Sequence, residues 1–242
     1  MVALVVLGAA AASAQSDTPM TAVEMAVACA APPSTAGQPA HALHVIGAQD
    51  TVPRTLFGAR DLLVIDGGTM AGVRLGQQFF IRRANRFGMS SAQGPHFVST
   101  AGWLRVVAAN ESNAIAMVEH SCGGIFQMDY LEPFVAPVVP SGADRDVGSG
   151  EPDFTSLGRI LVGSEDRHTV GTGDFVLIDR GSDQGVAPGA RFAVYRDMGA
   201  RGMPLASIGE AVVVSTGPTL ALTRITRARD AVLSGDYVAL RK

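Results

Sequence analysis

Asp66 and Asp179 each stand in a short run with glycines and a hydroxyl, Asp-Gly-Gly-Thr from Asp66 to Thr69 and Asp-Arg-Gly-Ser from Asp179 to Ser182. A carboxylate near a hydroxyl could serve nucleophilic catalysis if an imidazole lay between them, and His168 is the candidate for a Ser182, His168, Asp179 grouping. Two features argue against it. The run Gly-Ser-Asp-Gln-Gly from Gly181 to Gly185 places its serine directly after the first glycine, whereas a nucleophile elbow is G-x-S-x-G between a strand and a helix. The related run at Thr69 has Val52 or Arg54 near the place of His168, so a second copy would have no base. The reading that uses every residue is structural. Asp66 and Asp179 end strands and accept backbone N–H bonds from the turns that follow, with Thr69 and Ser182 doing the same more weakly. Gly68, Gly72 and Gly76, with Gly181, Gly185 and Gly189, supply positions of positive φ. Val73 and Val186 plug the space under the loop.

Other chemistries lack their residues. Of 19 basic residues only Lys242 is a lysine, which removes the interior lysine that a Walker-type phosphate loop, a Schiff-base enzyme or a Ser-Lys dyad requires. His41, His44, His96, His120 and His168 show no metal-binding spacing, and the acids lack the order of a calcium loop. No metal, cofactor or catalytic set is expected. A net charge of −3 also argues against nucleic acid as a partner; Arg82, Arg83 and Arg86 are expected on solvated faces.

The elements that position these runs are written twice. Residues 61–83 align without a gap on residues 174–196, and nine of the pairs are identical, far more than composition alone would give. Similarity continues from Gly102–Val107 to Gly209–Val214 and from Met128–Pro133 to Gly235–Leu240. Short apolar, β-branched runs separated by Gly-bearing connections read as five or six strands per unit. The fold expected is mainly β, two tandem small β-barrel-like units related by internal duplication, with a short N-terminal helix. The units span 41–136 and 157–242, joined by a linker at 137–156 that is rich in Pro, Gly, Ser and Asp.

Residues 1–14 read as a signal peptide, an apolar run with Ala12 and Ala14 placed for A-x-A cleavage, although no basic residue precedes it. The run is too short to span a bilayer. Residues 15–40 hold a helix that Thr18 could cap, with Pro19 as its first residue, ending near Cys29. In an oxidising compartment Cys29 and Cys122 could pair, closing a long loop worth about 3–4 kcal/mol in the chain-entropy model; two buried free thiols are the alternative.

The pattern I-D-x-G-[ST]-x-x-G-V-x-x-G-x-x-F-x-[VI]-x-R, followed by a Gly-Glu-x-Val-Val-Val strand and a closing Gly-Asp-Tyr-Val-x-Leu, resembles the small β domains at the C-termini of bacterial envelope proteins. Such domains occur beside LysM peptidoglycan-binding modules, and a similar one closes a flagellar outer-ring protein. Unit 2 matches better. Unit 1 departs with Met128 for the closing glycine, Trp103 at the Glu210 position and an insertion at 84–100. The resemblance implies an exported, periplasmic, non-catalytic scaffold whose partner is an envelope protein or peptidoglycan. A glycan-binding module would need exposed aromatic platforms, for which Trp103, three tyrosines and ten phenylalanines are a thin supply. A hydrolase would need a polar pocket where the units join. The insertion, if exposed, offers Phe87, Met89 and Phe97 as a contact loop.

Overall fold

The computed structural model describes residues 19–86, 96–143, 150–199 and 202–242. The expected signal peptide therefore lies outside the described residues, as do Phe87 and Met89.

Each unit is a closed antiparallel barrel of six strands. In unit 1 these are β1 (Leu43–Ala48), β2 (Leu62–Ile65), β3 (Gln78–Arg86), β4 (His96–Ala109), β5 (Ala114–Ser121) and β6 (Tyr130–Pro133). In unit 2 they are β7 (Gly158–Gly163), β8 (Phe175–Ile178), β9 (Arg191–Arg196), β10 (Ala206–Thr216), β11 (Ala221–Ala228) and β12 (Tyr237–Leu240). The strand order round the first barrel is β1-β2-β5-β4-β3-β6, and the second repeats it as β7-β8-β11-β10-β9-β12. Closure leaves no open sheet edge in either unit. Each barrel also carries a two-stranded ribbon, Leu56–Phe57 with Ile125–Phe126 and Thr169–Val170 with Val232–Leu233.

Alternate residues of each strand fill a separate core. Leu63, Ile65, Phe79, Ile81, Leu104 and Val118 belong to that of unit 1; Ile178, Phe192, Val194, Val213, Ile225 and Val238 belong to that of unit 2. Val73 and Val186 sit in these cores beneath their loops.

Helix α1 (Ala22–Cys29) starts three residues later than expected from Thr18. Thr21 is its N-cap, because Glu24 three residues on completes a reciprocal capping box: the Glu24 amide donates to Thr21 Oγ1 at 3.2 Å and the Thr21 amide donates to Glu24 Oε2 at 2.7 Å. The helix lies on the outside of barrel 1, where Ala28, Met25 and Cys29 pack with Phe80, Trp103 and Phe134. Cys29 and Cys122 form a disulfide, with Cα atoms 5.4 Å apart. Among the described residues no helix is long and apolar enough to cross a membrane.

Candidate functional site

The repeated acids act on backbone, but not in the turn that follows them. Asp66 Oδ1 accepts from the His44 amide at 2.6 Å, and Asp179 Oδ1 accepts from the Arg159 amide at 2.7 Å. Both donors lie on the antiparallel neighbour strand, beside the point where main-chain pairing with β2 or β8 ends, so each carboxylate extends a ladder sideways. Thr69 and Ser182 contribute main-chain groups, donating to the Asn110 and Gly217 carbonyls at 2.8 and 2.9 Å.

The glycines divide into two kinds. Gly72, Gly76, Gly185 and Gly189 have φ between 76° and 87°, where a Cβ would be strained. Gly68 and Gly181 are extended instead. They are glycines for clearance, since a Cβ on Gly68 would run into the Asn110 carbonyl and one on Gly181 would lie 2.5 Å from the Gly217 and Pro218 oxygens.

No catalytic triad assembles from the residues named in the sequence. His168 Nδ1 lies 3.3 Å from Ser234 Oγ rather than at Ser182, and Asp179 is taken up by the Arg159 amide and the Arg180 guanidinium. Asp66 does meet a histidine, His44 Nδ1, at 2.9 Å. The far ring nitrogen of that histidine faces the Gln38 amide, so this acid–imidazole pair presents no free base to a nucleophile. Unit 2 has Arg159 in the place of His44, which donates to the Tyr237 hydroxyl at 2.7 Å. Asp66 and Asp179 thus bond within their own barrels.

A second repeated device escaped the sequence reading. Arg83 donates from Nη2 to Asp129 at 2.6 Å and to the Gly124 carbonyl at 2.9 Å, while Asp129 also accepts from the Phe126 amide at 2.8 Å. Arg196 does the same with Asp236 at 2.7 Å and the Ala231 carbonyl at 2.6 Å, and Asp236 accepts from the Leu233 amide at 2.8 Å. Asp129 and Asp236 are both buried. The hydrogen bonds to Asp236 hold the Arg196 guanidinium above the usual arginine range. Each pair ties the end of the third strand to the loop before the last. The signal was present, because Arg83 with Arg196 and Asp129 with Asp236 all fall on aligned positions. What hid it was the separation of the partners along the chain.

Arg82 is consequently not on a solvated face, and Arg83 is half-buried. Arg82 is buried, stacked over the Phe80 ring at 4.0 Å and bonded to Glu132 at 3.2 Å and to the Thr100 hydroxyl. Burial pushes its pKa down, and the nearby Glu132 carboxylate opposes that shift. Thr100 in turn donates to the Ala30 carbonyl at 3.0 Å, so this chain of bonds fixes the segment leaving α1. The side chain of Arg86 lies outside the described residues.

Among the described residues Cys29, His120 and Cys122 bring three potential metal ligands within 4.8 Å of one another. Both sulfurs are joined to each other, and His120 is stacked on Trp103 with ring centroids 4.5 Å apart.

The two barrels meet on an outward face of unit 2. Ala30 and Ala31 from the N-terminal segment and Phe97 from β4 form one cluster with Val162, Phe175, Leu177, Val214 and Leu222. Phe97, expected on an exposed contact loop, is therefore only 5% exposed. The β3–β4 hairpin continues beyond the barrel, pairing Asn85 with Phe97, and so delivers this ring to the neighbouring unit. The insertion that sets unit 1 apart forms part of the joint between the units.

The corresponding outward face of unit 1 is bare. Leu62, Val107 and Met117 are 40%, 40% and 37% exposed, and Val64 and Ile115 beside them are half-buried. They lie side by side by register, Leu62 opposite Met117 and Val64 opposite Ile115. Next to this patch opens a depression of 690 Å³ lined by Thr69, Val73, Arg74, Leu75 and Ala108, with Arg74 as its single titratable lining residue. At the junction itself a cleft of 220 Å³ is lined mainly by Val27, Ala30, Pro33, Phe80, Val138 and Leu222, with Arg82 as its charged group.

No family model matches the chain, and no curated protein matches it significantly.

Proposed function

We propose that the protein is an exported, non-catalytic scaffold of the cell envelope that acts by contact with another protein. The observation that carries this reading is where the polar and apolar groups have gone. The repeated carboxylates hold backbone or arginine, while a contiguous aliphatic patch remains on the outside of unit 1. Exposed apolar patches on a soluble fold mark contact surfaces. The disulfide is compatible with an oxidising compartment, and the sequence's resemblance to small envelope β domains points toward one. The junction cleft and the depression beside unit 1 offer neither a carboxylate nor an imidazole on their linings, and in a third hollow, of 400 Å³, the lining carboxylate Asp50 is bonded to Arg54.

Peptidoglycan binding is the second reading, again on that resemblance. Against it stands Trp103, the one tryptophan, which is buried between Phe80, Phe134 and His120 rather than offered as a platform. The experiment is affinity capture of the tagged protein from solubilised envelope fractions, beside sedimentation with purified sacculi. Recovery of a discrete partner protein with no sacculus binding is expected. Turnover of glycan or peptide substrates by the purified protein would overturn the non-catalytic reading.

A further inference from the structure

We propose that the bare face of unit 1 is the seat for unit 2 of a second copy of this chain, so that copies join head to tail by repeating the joint already present inside each one. This rests on the contact-acting reading above and names its partner.

The argument follows from the duplication. Within the chain, the β3–β4 arm of unit 1 places Phe97 against an outward face of unit 2 built from β8, β10 and β11. The equivalent strands of unit 1 are β2, β4 and β5; four equivalent residues are matched in position and in apolar character, while Met117 stands where unit 2 has Arg224. Leu62 stands for Phe175, Val64 for Leu177, Ile115 for Leu222 and Val107 for Val214. What differs is cover: Phe175 and Val214 are 5% and 2% exposed where Leu62 and Val107 are both 40%.

Unit 2 carries a shorter counterpart of that arm, without the paired extension that the insertion gives unit 1. Strands β9 and β10 pair as far as Arg196 with Ala206, and the connection beyond carries Met198 and Met203, which are 64% and 66% exposed. Asn85, which pairs with Phe97, corresponds to Met198, and Met203 lies beside the position corresponding to Phe97. Methionine is unbranched and polarisable and adapts to an aliphatic surface. Among its described residues each chain thus has one satisfied joint, one partly exposed apolar seat on unit 1 and two exposed methionines on the unit 2 connection. A seat and an arm at different places on the same molecule make a heterologous contact, which propagates into a ring or filament rather than ending at a two-fold dimer.

The test is sedimentation of the oxidised, full-length protein over a concentration series, with two surface variants. Met117→Glu spoils the seat and Met203→Asp spoils the arm; both residues are exposed, so near-ultraviolet circular dichroism should match wild type and any unfolded variant is recognised. A second seat variant, Leu62→Lys, guards against a fault peculiar to one site. The wild-type weight-average mass should rise with concentration from 25.0 kDa through successive multiples, and each variant alone should lose that rise. Mixed in equal amounts, the seat variant keeps an arm and the arm variant keeps a seat, so the mixture should stop at a 1:1 complex. A wild-type protein that stays monomeric throughout overturns the inference, as does a dimer that ends there or variants that fail to complement. A monomer that captures a different envelope protein through Leu62 and Met117 would sink self-assembly yet leave the scaffold reading standing.

Discussion

Strands β2 and β8 occupy the same place in two copies of one barrel, and their neighbours and register correspond. In β8 all four residues, Phe175 to Ile178, are buried. In β2 only Leu63 and Ile65 are, and Leu62 and Val64 look outward. A strand buried on both faces is a continuous apolar run, and one buried on a single face alternates in environment. The sequence of both is continuous. Unit 1 therefore keeps an apolar outer row that the described residues leave partly exposed, whereas in unit 2 the same row has become an internal joint. The lesson is that duplication copies a docking surface along with a fold, and whether the surface is satisfied depends on what the rest of the chain brings to it.

Two substitutions bear on that difference. The largest effect is expected from Phe97→Ala, which empties the joint and should cost about 3–5 kcal/mol, as aromatic truncations in a core do. Leu62→Ala on the bare counterpart should cost less than about 1 kcal/mol of monomer stability, since most of what it loses was already exposed. Urea unfolding checks both, and Phe97→Ala should in addition split one cooperative transition into two as the barrels uncouple. Equal costs would mean that the two faces are not differently used.

The arginine–aspartate clamps should instead behave alike in the two units. Asp129→Ala and Asp236→Ala each strand an arginine and leave a backbone amide without its acceptor. The cost expected is about 3 kcal/mol, at the lower end for a broken buried pair because the arginines keep some access to water. Chemical denaturation of each variant should show matching losses; a loss confined to one unit would break the equivalence.

The closing strands should also show small effects. The Tyr237 hydroxyl accepts from Arg159, while its counterpart Tyr130 is fully buried and its hydroxyl has no partner among the described residues. Tyr237→Phe should cost about 1 kcal/mol and Tyr130→Phe close to nothing. Burial, with the nearby Glu132 carboxylate, pushes Tyr130 up to about 12, whereas an unfolded tyrosine ionises near about 10. The folded state therefore keeps a proton that the unfolded chain gives up. That contribution to stability is complete below about pH 10 and is lost as the pH rises through about 12. Tyr130→Phe should flatten this part of the alkaline melting profile, and an unchanged profile would show that Tyr130 is not what titrates there.

Much of this molecule could be read before its structure was seen. The duplication, the mainly β character and the strands of each barrel follow from local pattern, because apolar runs and Gly-bearing turns act over a few residues. The pairing of Cys29 with Cys122 was one of two readings their number allowed. Met128 shows the limit of pattern: it departs from the glycine at Gly235, yet it adopts the same left-handed conformation, with φ of 68° against 96°. The role of Gly68 as a clearance rather than a φ requirement was hidden, since the carbonyl that it must avoid belongs to Asn110. The clamp from Arg83 to Asp129 was hidden for the same reason.

By itself the sequence determined the repeated barrels, since strand propensity and turn chemistry are properties of short segments. Only tertiary structure decided which outward row is covered. Residues 62–65 and 175–178 are equally apolar, and burial of an outer face depends on the distant Phe97, Ala30 and Ala31, whose arrival is a matter of chain geometry rather than of local composition.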